Sequence, residues 1–430
     1  MIRRAASLFV INLTVFAVVA EVIGLAVFYY QTGWLYYVDP YRPQLAVVAE
    51  PGGGRLTTAA LHPYFGPTHQ PGLPFDMPEA LREPGAANAT PPATNNFGFT
   101  ARHDYPVART SQRQVLVGIF GGSVGAWFCE VGAGRLAAAL ARTPAFQGRD
   151  VVPLCFSHEG YKQPQQLLIL SYFLSIGQSF DVVVNIDGFN EVAISPVNDA
   201  RGLDISMPSV MHMDPLTALV DQSSMTADKV ETLGRIQGYR RRLNAVASRA
   251  NRSWSAAVHL VLTRLHGVLD RQYRAEVARF DALPAAAGGS LVRVTPRLRA
   301  RGAAELYQDI ARNWAASSLL MQQMLAARGA RYVHVLQPNQ YFTTRPFAPG
   351  EAAVAIAADS PFKPGVEQGY PVLEQVVSSG ELARAGVTVV DGVHLFDHER
   401  APVYIDNCCH YTRRGYEILA DAIAAALAKP

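Results

Sequence analysis

Five short apolar runs, each set beside a longer helical pattern, constrain the fold of this chain more than any other feature. The first, Val115-Leu116-Val117-Gly118-Ile119-Phe120, ends in Gly121-Gly122 and leads into a helical pattern from Val124 to Arg142. The rhythm recurs as Val151 to Phe156 before a helix over Gln163 to Ile176, and as Val182 to Ile186 before a loop. Tyr332 to Leu336 follows a long helical pattern, Ala303 to Ala327, and Val387 to Val390 precedes a terminal helix, Arg413 to Leu427. Strands apolar on both sides must be covered on both sides, so the pattern predicts an α/β fold with a parallel sheet between helices. Residues 205–300 interrupt it with Arg-rich helical segments, Lys229 to Asn251 and Ser255 to Asp281, which could form a lid or substrate-facing cap. The run Arg240-Arg241-Arg242 reads as a solvated helix face.

A second constraint lies at the N-terminus. Leu8 to Tyr30 is a stretch of 23 residues whose only charge is Glu21, and at ~1.5 Å per residue it reaches about 34 Å, enough to cross a bilayer core. Arg3 and Arg4 precede it, whereas the segment through Val48 carries only Asp39 and Arg42. The positive-inside rule then places residues 1–7 in the cytoplasm, residues 8–30 in the inner membrane as a single-pass anchor, and the rest of the chain outside the cytoplasm. A cleaved signal peptide is the rival, but its apolar region is usually only ~7–15 residues long, and no A-x-A site follows here. Residues 31–112, with Pro51-Gly52-Gly53-Gly54 and a Pro/Gly-rich stretch from Pro71 to Pro92, read as an extended linker or collar. His62-Pro63-Tyr64-Phe65-Gly66 and Asn95-Asn96-Phe97-Gly98-Phe99 are the pieces expected to dock on the main body at residues 113–430.

A net charge of +3 with 17% charged residues argues against a nucleic-acid partner, which needs a concentrated basic surface. Four cysteines include no CxxC pair, and neither a metal nor a cofactor is expected.

In open α/β sheets ligands bind beyond the carboxyl ends of the strands, and polar residues gather there. Ser123 follows the first strand, where Gly121-Gly122 permits a sharp turn and the helix behind it aims N–H groups at a developing anion. Gly160, in Ser157-His158-Glu159-Gly160-Tyr161, can offer an N–H at close range, and Asn190, in Gly188-Phe189-Asn190-Glu191, can donate an amide to the same anion. His410, just before the last helix, suits a general base, with Asp406 to orient its ring. Gln337 and Asn339, after the fourth strand, are candidate substrate contacts, with a strand-terminating turn the equal alternative. Asp391 and His394, after the fifth, are a weaker alternative acid and base.

Ser123, Gly160, Asn190 and His410, in this order, resemble the four blocks of the SGNH (GDSL-like) hydrolase family. The family's Gly-Asp-Ser appears as Gly121-Gly122-Ser123, and its Gly-x-Asn-Asp as Gly188-Phe189-Asn190-Glu191. Its Asp-x-x-His block is the largest departure: Asn407 lies three residues before His410, and Asp406 lies four before it. Asp406 is the preferred orienter, because a carboxylate stabilises the imidazolium better than an amide, with Asn407 the alternative. The resemblance covers residues 113–200 and 330–428 and implies a flavodoxin-like three-layer α/β/α sandwich around about five parallel strands.

The mechanism this implies is nucleophilic attack by Ser123 with His410 as base and Asp406 behind it, the oxyanion being received by the N–H groups of Ser123 and Gly160 and the Asn190 side chain. The acyl group then passes to water, as in an esterase, or to a sugar hydroxyl, as in an O-acyltransferase. With the domain outside the membrane, the expected substrate is a carbohydrate or polysaccharide ester, with lipid esters the next candidate. A non-catalytic glycan-binding relative and a structural membrane tether with an interaction cap are the competing classes. An oxidising compartment permits a disulfide from Cys129, about two turns into the helix after Ser123, to Cys408 or Cys409; the alternative is buried thiols near the core.

Overall fold

The structure, a computed structural model, describes residues 2–33, 35–38, 45, 59–75, 77–81, 93–217, 226–283 and 301–428. Pro51 to Gly54, residues 82–92 of the second Pro/Gly-rich stretch, and residues 218–225 and 284–300 of the insertion lie outside the described residues. The chain divides into two compact units, residues 1–56 with 218–294, and residues 57–217 with 295–430.

The first unit is helical. Helix α1 (Ile2–Thr32) contains a segment, Leu8–Thr32, long and apolar enough to cross a membrane. Helices α7 (Ala227–Asn251) and α8 (Ala256–Ala282) form an antiparallel hairpin. The Thr226 and Ser255 side chains cap them by accepting the N–H groups of Lys229 and Val258, and Arg235 pairs with Glu276 across the hairpin at 3.0 Å.

The second unit opens with an antiparallel hairpin of β1 (Ala59–His62) and β2 (Gly66–His69). Its core is a five-stranded sheet in the order β4-β3-β5-β6-β7. These strands are β3 (Gln114–Gly121), β4 (Asp150–Ser157), β5 (Val182–Asp187), β6 (Arg331–Leu336) and β7 (Thr388–Asp391), and every neighbouring pair is parallel. Helices cover both sides. Helices α2 (Ser123–Val131) and α3 (Ala133–Leu140) pack with the last helix α13 (Arg413–Ala428). Helices α4 (Gln165–Ser175), α5 (Phe189–Ala200), α9 (Ala303–Ala326) and α11 (Lys363–Ser378) form the other group. The short helices α6 (Val210–Thr217), α10 (Glu351–Ala355) and α12 (Glu381–Arg384) lie in the connections. Leu116, Ile119, Phe120, Val182, Val184, Val333 and Val335 are wholly buried, as strands covered on both faces require.

Two local expectations need correction. The single helix expected over Val124 to Arg142 is two, broken at Gly132, the poorest helix former after proline. The loop expected after Ile186 is the start of α5. The Glu191 carboxylate accepts the N–H of Gly188 at 2.8 Å and of Gln163 at 2.7 Å, satisfying an orphan donor at the helix entry.

The described part of the expected collar from residue 59 onward belongs to this unit. Phe65 is 1% exposed, and the His62 ring stacks on it at 3.6 Å. Its carbonyl accepts from Gln165 at 2.9 Å, and the Pro67 carbonyl accepts from the Tyr161 hydroxyl at 2.7 Å. Asn95 Oδ1 accepts the N–H groups of Phe97 and Phe99, both at 3.0 Å, and folds that turn so that Phe99 is buried.

Candidate functional site

Strand register sets the site. Gly121 pairs with Ser157 on one side and Ile186 on the other, so β3, β4 and β5 end level. The strand order reverses at β3, which makes its carboxyl end the switch point where ligands bind in such sheets. Ser123 sits there as the first residue of α2. The turn before it admits no side chain. A Cβ on Gly121, at φ +153°, would lie 2.3 Å from the Ile186 carbonyl oxygen, and one on Gly122 would lie 2.2 Å from Asn190 Nδ2. This close approach requires glycine at position 122.

His410 Nε2 lies 2.8 Å from Ser123 Oγ, and His410 Nδ1 lies 2.5 Å from Asp406 Oδ2. The loop closes around the carboxylate, for Asp406 Oδ1 accepts the N–H groups of Cys408, Cys409 and His410 at 2.9, 3.1 and 3.3 Å. Burial opposes ionisation of Asp406, but His410 and these amides outweigh it and hold the carboxyl below its ordinary range. Asn407 is exposed, and its carbonyl accepts from the Tyr341 hydroxyl at 2.8 Å. The four-residue spacing brings Asp406 to the His410 ring because residues 406–410 wrap back on their own first side chain.

Asn190 Nδ2 donates to the Tyr161 carbonyl at 2.7 Å, which leaves its second amide hydrogen. The Tyr161 carbonyl oxygen also lies 3.1 Å from the Cβ position of Gly122, so the loop carrying Gly160 meets the serine turn. Gly160 has φ +75°, and the His212 ring rests on its α-carbon.

Gln337 and Asn339 are both buried in the turn that follows β6. Asn339 is wholly buried, donating to the Cys408 carbonyl at 3.2 Å and accepting from Tyr341 N–H at 2.9 Å. Gln337 is 3% exposed, and its carbonyl accepts from the Tyr370 hydroxyl at 3.0 Å. The segment after β6 braces the 406–410 loop from behind, with Gln340 adding a bond to the Asp406 carbonyl at 3.0 Å. His394 is exposed and pairs with Asp397 at 2.9 Å, with no bond to Ser123.

The disulfide also differs. Cys129 bonds to Cys155, with a Cα separation of 5.8 Å, and Cys408 and Cys409 are free thiols. Helical rotation gives the reason. At about 100° per residue, Cys129 points roughly 240° around α2 from Ser123, toward β4. Trp127, about 40° around, instead has its ring 6.4 Å from that of His410. Cys409 Sγ lies 4.0 Å from Ser123 Oγ and 3.4 Å from Cys408 Sγ, and burial drives its thiol pKa well above the ordinary value.

Several neighbours had no sequence signal. His69, from β2, reaches Glu159 at 3.2 Å, and its ring centroid lies 4.3 Å from that of His158, tilted by 44°. Burial pushes His158 down to about 4, which keeps it neutral near neutral pH. Among the described residues, His69, His158 and Glu159 form one set of possible metal ligands, and Cys408, Cys409 and His410 another. Each supplies only three protein ligands, and in the second both His410 nitrogens face Ser123 and Asp406.

Beside the disulfide is a cavity of about 360 Å³, lined in part by Arg102, His103 and Glu130. Burial pushes Glu130 up to about 7, while Arg102 pulls the other way. The folded chain therefore holds this proton more tightly than the unfolded one, and stability falls as pH rises from about 4.5 through 7. Glu130→Gln should raise thermal stability at pH 8, by on the order of 2 kcal/mol, and leave it unchanged at pH 4. Thermal unfolding at the two pH values decides this, and equal effects at both would mean Glu130 carries no such cost.

The fold and this arrangement define an α/β protein with a serine, an imidazole and a carboxylate in line at the switch point of its sheet. Compared with known proteins, the chain matches no family model and no curated protein. Among solved structures it is similar to the crystal structure of the lipase Lip_vut3 from goat rumen metagenome, with 9% identity and a TM-score of 0.34, over 73% of this chain and 97% of that one. A likeness at that level carries no information about activity.

Proposed function

We propose that this chain is a serine esterase of SGNH type, held at the outer face of the cytoplasmic membrane by α1 and removing acyl groups, acetyl foremost, from carbohydrate esters. One observation carries the reading: Ser123 Oγ, the His410 ring and the Asp406 carboxylate form a continuous line of 2.8 and 2.5 Å contacts. In it, His410 Nε2 takes the Ser123 proton as Oγ attacks the ester carbonyl, and Asp406 fixes the tautomer and stabilises the imidazolium. The N–H groups of Ser123 and Gly160 and the free amide hydrogen of Asn190 receive the oxyanion, each such donor being worth about 3 kcal/mol in the transition state. His410 then returns its proton to the leaving alcohol, and the acyl-serine is resolved by water. The Cys129–Cys155 disulfide supports an oxidising compartment, and so a domain outside the cytoplasm.

The test is fluorophosphonate labelling of the full chain in detergent, with p-nitrophenyl acetate turnover and release of acetate from an acetylated polysaccharide. Labelling of the Ser123 peptide with free acetate as product is the expected result. Acetyl appearing on an added glycan instead of in solution would make the chain an O-acyltransferase. A folded chain that neither labels nor turns over would be a glycan-binding relative.

A further inference from the structure

The acid inside the apolar stretch has a partner. Glu21 accepts the N–H of Ala256 at 2.7 Å and of Ala257 at 3.4 Å, and the Ser255 hydroxyl also donates to it. Its carboxyl sits at the N-terminus of α8, where unpaired N–H groups and the helix dipole favour negative charge. The Tyr37 hydroxyl adds a fourth bond, at 2.6 Å.

The two helices then run side by side. A Cβ on Gly24 would lie 2.5 Å from Ala257 N, so glycine there lets the backbones touch. One turn on, Phe28 meets the buried His259 edge-on at 6.1 Å, and Tyr36 donates to the Ser253 carbonyl at 2.5 Å. Since Glu21 and Gly24 meet residues 255–257 and Phe28 meets His259, α8 begins beside the middle of the apolar stretch and leads toward its outer end. Glu21 lies 11 residues before Thr32, roughly 16 Å along the helix. The outward side of α8 matches that depth. Trp254 is 81% exposed, Val258 49% and Val261 67%, and Leu265 and Val268 continue the same stripe. Arg252, the one charged residue in the turn, donates from Nε to the Ser248 carbonyl at 3.2 Å, back along α7 and away from the tip.

We propose that the α7–α8 turn is a wedge inserted into the outer leaflet beside α1, with Trp254, Val258 and Val261 against lipid acyl chains and Leu265 and Val268 at headgroup level. This rests on the reading of α1 as a membrane anchor. The energetics are mutual. An acid within the span costs about 2.5–3.5 kcal/mol unpaired, and a helix N-terminus in hydrocarbon has no water for its N–H groups. Each satisfies the other, and Arg252 reaches back toward the interface in the manner of snorkelling side chains.

The experiment is tryptophan quenching in the full chain reconstituted into phosphatidylcholine vesicles with acyl chains brominated at mid-length. In a Trp34→Phe background, Trp254 should lose at least half its emission to bromolipid and resist aqueous iodide; its share is read by subtracting the spectrum of the same chain with Trp254→Phe. Phe16→Trp, placed in the Trp34→Phe, Trp254→Phe background, reports on α1 itself. Bromolipid quenching for Phe16→Trp with none at Trp254, which iodide then quenches, overturns the wedge and leaves the anchor standing. No bromolipid quenching at either position overturns both.

Discussion

Replacing Ser123 with alanine should abolish fluorophosphonate incorporation and lower ester turnover by on the order of 10⁴-fold or more, because it removes the hydroxyl held 2.8 Å from His410 Nε2. His410→Ala should act alike: without a base 2.8 Å from Oγ the serine stays a neutral alcohol. The two losses should not add, since the residues act as one unit. Asp406→Asn discriminates further. It keeps the shape of the side chain but offers the ring an amide, which favours the wrong tautomer, and a loss of about 10⁴-fold is expected. Asn407→Ala should leave turnover near that of the parent, as its side chain is exposed. Turnover by the Ser123→Ala chain equal to that of the parent would place the chemistry elsewhere.

The largest effect on stability is expected at Glu351. Its carboxylate and the Arg345 guanidinium are both wholly buried and 2.9 Å apart. Glu351 also accepts the N–H groups of Ala348, Val403 and Tyr404 at 2.8, 2.7 and 3.1 Å. Arg345 donates to the carbonyls of Glu399 at 2.8 Å and Ala401 at 2.7 Å. This pair pins the segment that leads into residues 406–410. Glu351→Ala strands a buried cation and three amides, so a loss of about 3–5 kcal/mol is expected, read as a drop in the unfolding midpoint. Replacing both partners with apolar residues, Arg345→Met with Glu351→Leu, should be milder than the single change, because no charge is left unpaired. A single change costing under about 1 kcal/mol would mean that water reaches the pair.

How much of this was legible follows from the range of each signal. The strands were readable because apolar runs bounded by turns depend on neighbouring residues, and the segments gathered at the sheet edge were readable because each follows a strand. Side-chain direction was not. Asn339 sits at the same edge as Ser123, yet it turns inward to the Cys408 carbonyl. The partner of Cys129 depended on the rotation of α2 over β4, which its distance in sequence from any cysteine does not encode. His69 and His212 approach the Gly160 loop from distant segments, and neither carries a local pattern.

By itself the sequence determined a parallel sheet between helices, an N-terminal apolar helix, and which segments reach the carboxyl edge, because hydrophobic period and turn chemistry are local properties. Only the tertiary structure decided which atoms meet there. Ser123 and His410 stand 287 residues apart, and Glu21 finds the start of α8 across more than 230. Contacts of that span are fixed by strand register, helix rotation and close backbone approach, none of which a run of neighbouring residues specifies.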